Sequence, residues 1–135
     1  YYDDYVHHPT ELKAAIHAAR TLFPDKKITG VFQPHLFSRT RDFADGFAEA
    51  LDALDEILLL EIYPARELPM EGVNSQMLKQ KMKNKQVKRY ELNEVMEALP
   101  DYDIQVLLTL GAGDISTLVP QIKTYLENRA NTLTH

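Results

Sequence analysis

The sequence predicts an α/β fold, a three-layer Rossmann-like sandwich built around a mostly parallel sheet of about five or six strands. Strand-like and helix-like segments alternate from end to end, with no repeat and no linker between them. The run Ile57-Leu58-Leu59-Leu60 is apolar at every position, as in a strand covered on both faces. At 135 residues the chain has the length for one core and not for two, so residues 1–135 are expected to form a single domain.

Each element has its own signal. Tyr1 to Tyr5 reads as a first strand. Leu12, Ala15, Ile16, Ala19, Leu22 and Phe23 then recur at helical spacing, opened by Pro9 and Glu11 and closed before Pro24. Ile28 to Phe32 predicts a second strand, ended by Gln33-Pro34. Phe43, Phe47, Ala50, Leu51 and Leu54 predict one helix over Ser38 to Leu54, capped at Ser38 or Thr40. A third strand spans Glu56 to Ile62. Pro64, Pro69 and Gly72 make residues 63–72 a loop. A short helix over Ser75 to Met82, an edge strand over Val87 to Tyr90 and a helix from Leu92 to Leu99, stopped by Pro100, follow. Ile104 to Leu110 is a further buried strand, and Ile115 to Leu126 a last helix, with Asn131 to His135 expected to fray.

Composition narrows the function classes. A net charge of -5 speaks against a polyphosphate partner, so no nucleic acid is expected. No apolar run approaches the roughly 20 residues of a membrane span, so no membrane partner is expected either. The absence of cysteine excludes disulfides and thiolate chemistry. The chain opens at Tyr1 on strand-like residues and without methionine, and further sequence is expected before it.

In a parallel sheet of this kind, ligands gather at the carboxyl ends of the strands, and three polar clusters lie there. The first, Asp3-Asp4-Tyr5-Val6-His7-His8-Pro9-Thr10-Glu11, offers carboxylates, a phenol and imidazoles for a metal, ribose hydroxyls or a proton shuttle. Spacing favours a plainer role, with the histidines and Thr10 capping the helix and the aspartates solvated. The second, Gln33 to Arg41, puts Arg39 and Arg41 near a helix start, where the macrodipole disfavours cations. Either an anion meets the arginine fork and the free helix amides there, or the arginines pair with Asp42 or Asp45 on the surface. In the third, Gly111-Ala112-Gly113-Asp114, the glycines read as a sharp turn and Asp114 as a helix cap. No Gly-Lys-Ser or Gly-Lys-Thr occurs, so the chain has no P-loop of its own.

Taken in order, Asp3 to Glu11, Val31-Phe32-Gln33-Pro34-His35 with Ser38-Arg39-Thr40, and Leu110 to Ile115 resemble the Mur ligase family, in its branch of UDP-N-acetylmuramate:L-alanine ligases. The likeness covers nearly the whole chain. It implies the C-terminal lid domain of a three-domain cytoplasmic enzyme of peptidoglycan synthesis, whose UDP-binding and central ATPase domains lie outside this chain. The implied partners are UDP-N-acetylmuramate, L-alanine and ATP, with Mg2+ as cofactor in the complete enzyme and neither ATP nor metal held tightly by the lid alone. The lid alone is expected to be inactive. The resemblance assigns Asp4 to the nucleotide and Tyr5, His7, His35 and Arg39 to the amino-acid substrate, with no metal ligand here. It also marks two departures, since members usually carry a small residue where Val6 stands and often a polar or basic one where Leu36 stands. The competing reading is a standalone nucleotide- or anion-binding α/β module without ligase activity.

Overall fold

A computed structural model describes residues 1–133, with side chains through Arg129. Five strands form one sheet: β1 (Tyr2–Tyr5), β2 (Ile28–Gln33), β3 (Glu56–Leu60), β4 (Val87–Tyr90) and β5 (Val106–Gly111). Their order is β1-β5-β2-β3-β4 and every pairing is parallel, where the sequence predicts mostly parallel. The helices are α1 (Pro9–Leu22), α2 (Phe37–Asp42), α3 (Ala44–Leu51), α4 (Ser75–Lys81), α5 (Val95–Ala98) and α6 (Val119–Leu133).

Period-two alternation in the strands sends side chains to opposite faces, and each face has its own core. Ile28, Phe32, Ile57, Leu59, Leu108 and Leu110 meet Leu12 and Ile16 of α1, Phe47 and Leu51 of α3, and Leu78 of α4. Val31, Leu58, Leu60 and Leu107 meet Val95, Leu99, Ile115, Leu118 and Ile122 on the other side. This is the three-layer sandwich. It follows from connectivity: the chain steps from β1 through β2 and β3 to β4 with its crossover helices on one face, then returns to insert β5 between β1 and β2. The turn after β5 therefore leaves toward one face while those after β1 and β2 leave toward the other. A crevice opens between them at the carboxyl edge.

The long helix predicted over Ser38 to Leu54 is two helices. Phe43 breaks it, with φ −117° and ψ 21°, its amide donating to the Arg39 carbonyl at 3.0 Å and its ring packing on His8 at 4.7 Å. The break leaves α2 over the carboxyl edge and turns α3 into contact with α1 and α4. The capping assignment also needs correction. The residue before α2 is Leu36, with no side-chain cap; the Thr40 hydroxyl donates back to the Leu36 carbonyl, and Ser38 gives both its amide and its hydroxyl to Glu67. The last helix is likewise divided, since Asp114–Leu118 is a 3-10 turn before α6. Pro100 does not stop the segment before β5; it lies inside a closing 3-10 turn, Leu99–Asp101. Residues 131–133, expected to fray, continue α6, and residues 134 and 135 lie outside the described residues.

Phe47 is wholly buried and packs its ring on Phe32 at 5.5 Å, whereas Leu68 in the loop after β3 is 83% exposed. Phe47→Ala is expected to lower unfolding free energy by about 3–5 kcal/mol in urea denaturation, and Leu68→Ala by under about 0.5 kcal/mol. Equal losses would contradict the assigned core.

Candidate functional site

The crevice begins where β1 ends. Val6 is buried and its amide donates to the Gly111 carbonyl at 3.1 Å, which ties the turn after β1 to the end of β5. The adjacent histidines then part company. His8 accepts from the Thr10 amide at its Nδ1, 3.1 Å away, and so caps α1 as the plainer reading of the sequence expects. His7 faces the crevice, its ring edge-on to Tyr5 at 5.2 Å and 6.4 Å from the ring of His35. Its amide donates to Glu11 Oε1 at 3.2 Å. His7 Nδ1 is buried 3.4 Å from the same carboxylate but not aligned to hydrogen-bond it. Asp3 is not simply solvated, because it accepts from the buried Thr109 hydroxyl at 2.6 Å.

Beyond β2 the backbone makes an unusual turn. Tyr63 donates its amide to the Pro34 carbonyl and accepts from the Leu36 amide, both at 2.8 Å, in a parallel bridge centred on His35. To leave that bridge into α2, Leu36 adopts φ 67°, a left-handed conformation that costs a non-glycine residue about 1–3 kcal/mol. The His35 ring stacks on Tyr63 at 5.7 Å with 20° between planes. Arg39, one helical turn on, donates from Nη1 to His35 Nδ1 at 3.1 Å. That donation needs a neutral imidazole. Burial lowers the pKa of His35, and the charge of Arg39 and the presence of His7 lower it further, so the neutral form is the favoured one.

The floor was not legible in sequence. Gln33, almost fully buried, donates from Nε2 to Asp114 Oδ1 and accepts from the Ile115 amide at 2.8 Å, joining the end of β2 to the turn after β5. Asp114 thus does not cap a helix. Gly113 packs so closely that a Cβ there would stand 2.5 Å from Tyr63 Cγ and 2.7 Å from Gln33 Oε1. The glycine is a spacing requirement, in keeping with its structural reading.

Tyr5, His7, His35 and Arg39 therefore come together, with Tyr63 added. Asp4 does not join them; it lies with Tyr2, Ala15, Ala19 and Leu22 along a cavity of about 140 Å3 between β1 and α1. Arg41 takes the surface pairing, 2.9 Å from Asp42, and Asp45 pairs with Lys81. Among the described residues no carboxylate pairs with Arg39, so its remaining donors are available to an anion from outside. The first free amide expected at this helix start is taken by Glu67. No three His, Asp or Glu side chains among the described residues converge as a metal site. No described helix is long and apolar enough to cross a membrane.

A family model described as Mur ligase, glutamate ligase domain, matches residues 1–120. UDP-N-acetylmuramate--L-alanine ligase of Flavobacterium johnsoniae is 54% identical over 126 residues, covering 93% of this chain and 28% of the relative. The Cytophaga hutchinsonii protein of the same name is 49% identical over 129 residues, covering 96% and 28%. The chain thus spans between a quarter and a third of the length of these relatives. The crystal structure of UDP-N-acetylmuramate-alanine ligase from Thermotoga maritima superposes with a TM-score of 0.68 at 26% identity, covering 93% of this chain and 26% of that one.

His35 should titrate below the ordinary histidine value when followed by NMR, and Arg39→Met should move it part of the way back, since burial is the larger cause. With the folded pKa below the unfolded one, the unfolded chain binds more protons in the window between them. The contribution of His35 to stability is therefore intact above the ordinary value and lost as pH falls through the window. No movement in Arg39→Met would remove Arg39 from the ring nitrogen.

Proposed function

The chain belongs to the Mur ligase family, in the part described as its glutamate ligase domain, and from that premise we propose that it is the lid of an ATP-dependent ligase joining L-alanine to UDP-N-acetylmuramate. In this reading residues 1–135 are one domain of a longer cytoplasmic protein whose UDP-binding and ATPase domains lie elsewhere. Relatives about three times its length, named for that reaction, support it. The standalone-module alternative is not favoured, because those relatives match across nearly the whole chain as parts of ligases.

The observation that carries the reading is the guanidinium of Arg39, with which no carboxylate among the described residues pairs and which donates to His35, a histidine whose pKa burial lowers. A planar fork with free donors in a half-buried crevice suits a small carboxylate, which it meets with two parallel hydrogen bonds. The carboxylate of L-alanine fits that description. Held there, the amino acid has its amine near His7 and Tyr5, toward the muramate carboxyl that ATP has activated as an acyl phosphate. The neutral amine attacks that carbonyl, the tetrahedral adduct breaks its carbon–oxygen bond to expel phosphate, and the amine's proton passes to the departing phosphate or to solvent. Closing the lid excludes water that would otherwise hydrolyse the acyl phosphate. His35 kept neutral adds no second positive charge and accepts from the guanidinium, which fixes its position. Asp4, on the other side of β1, is assigned to ribose hydroxyls of the nucleotide as a hydrogen-bond acceptor.

Magnesium belongs to the complete enzyme's phosphate chemistry. The described side chains do not fit it, since no donor set among them converges for a metal.

Arg39→Ala in the complete ligase should raise the KM for L-alanine, at a cost of about 2–4 kcal/mol in kcat/KM for the amino acid, and leave the KM for ATP near its original value. Arg39→Lys should recover part of the loss. A change confined to ATP would move Arg39 to the nucleotide, and a loss under about 1 kcal/mol would return it to the surface.

A further inference from the structure

We propose that Glu67, in the loop after β3, is a positioning residue for the amino-acid site: it caps α2 from across the chain and so fixes where the His35–Arg39 pair stands. The proposal rests on the reading that Arg39 receives the amino-acid carboxylate.

Helix α2 cannot hold itself in place. It has six residues, too few to be stable alone, and its preceding residue is Leu36, which offers no capping oxygen and holds a left-handed backbone. Glu67 supplies what is missing from 29 positions away. Its carboxylate accepts from the Ser38 amide at 3.1 Å and also from the Ser38 hydroxyl. Those bonds hold the Glu67 carboxyl below its usual pKa, so it is charged at neutral pH and favourable at a helix start.

The loop carrying Glu67 is itself fixed to the same turn. Tyr63 makes the bridge to His35 and stacks on its ring, and the next residues form a turn in which the Glu67 amide donates to the Pro64 carbonyl at 2.9 Å. Ala65 inside that turn has φ 54°. Among the described residues only Leu36 and Ala65 are non-glycine residues with positive φ, and they flank this latch from its two sides. Strained backbone concentrated at both ends of one contact marks a geometry held for a purpose other than local stability. Glu67 hydrogen-bonds Ser38 and not Arg39, so its hold on the guanidinium passes through the placement of α2, beside a direct electrostatic pull that raises the His35 pKa against the larger effect of burial.

The test is steady-state kinetics of the complete ligase carrying Glu67→Ala, Glu67→Gln, Ser38→Ala, Arg39→Ala and the Arg39→Ala/Glu67→Ala pair, with L-alanine and ATP varied separately and melting followed in parallel. Glu67→Ala should raise the KM for L-alanine about tenfold, with kcat and the KM for ATP within about twofold. Glu67→Gln, which keeps an acceptor for the Ser38 amide, and Ser38→Ala, which keeps the amide itself, should each raise it about threefold and serve if the alanine variant folds poorly. In the Arg39→Ala background, Glu67→Ala should add almost nothing, because both losses act on one interaction. The proposal is overturned if the two losses add in full, if all three latch variants leave the KM for L-alanine unchanged while Arg39→Ala raises it, or if they lower every parameter in step with the melting temperature. An Arg39→Ala enzyme with unaltered use of L-alanine would instead remove the reading of Arg39, and this proposal with it.

Discussion

At the carboxyl edge of the sheet one buried side-chain amide clamps the end of β2 to the turn after β5. Gln33 reaches from the end of β2 to the turn after β5, satisfying the Ile115 amide with its oxygen and the Asp114 carboxylate with its nitrogen. A buried amide left without partners would cost about 1–3 kcal/mol, so the two chain segments are locked at one separation. The separation decides what stands above it. Gly113 lies flush against Tyr63, Tyr63 stacks on His35, and His35 accepts from Arg39. A side chain larger than hydrogen at position 113 would push Tyr63 outward and the His35–Arg39 pair with it.

Electrostatics in the crevice then follow from which donors are already used. Glu67 occupies the start of α2, Asp42 occupies Arg41, and His35 is kept neutral by burial and by its arginine neighbour. In the proposed reading, anion recognition is left to the guanidinium of Arg39, with which no carboxylate among the described residues pairs. A site organised in this way is selective in charge and small in reach, which is the demand made by an amino-acid carboxylate and not by a triphosphate. The topology adds the remaining requirement. Because β5 returns between β1 and β2 and leaves toward the opposite face, the three turns diverge and leave a crevice no single loop could form.

Much of the sheet was legible in sequence. Ile57 to Leu60 and Ile28 to Phe32 are buried on both faces, so their apolar runs carry the signal directly. The break at Phe43 was hidden because Phe43 and Phe47 keep helical spacing across it; a change of direction leaves the period intact. Tyr5, His7, His35 and Arg39 lie in polar clusters at strand ends, but only the family resemblance assigns them to the amino acid; spacing alone favours capping for the histidines and leaves Arg39 open. Gln33, Tyr63 and Glu67 did not, because their partners lie far away in the chain, 82 positions for Gln33 with Ile115 and 29 for Glu67 with Ser38. Nothing in a local window distinguishes a glutamine that clamps two loops from one on the surface. The parting of His7 from His8 was half legible: adjacent residues point apart, but which of them caps the helix depends on the ring of Phe43 waiting for His8.

Arg39, seated by His35, is proposed to hold the carboxylate of the incoming amino acid. A crystal structure of the complete ligase with L-alanine and a non-hydrolysable ATP analogue tests it most directly. The alanine carboxylate is expected within about 3 Å of the Arg39 guanidinium, with its amine turned toward His7 and Tyr5. A carboxylate bound elsewhere, with Arg39 on the nucleotide or free in solvent, would contradict it.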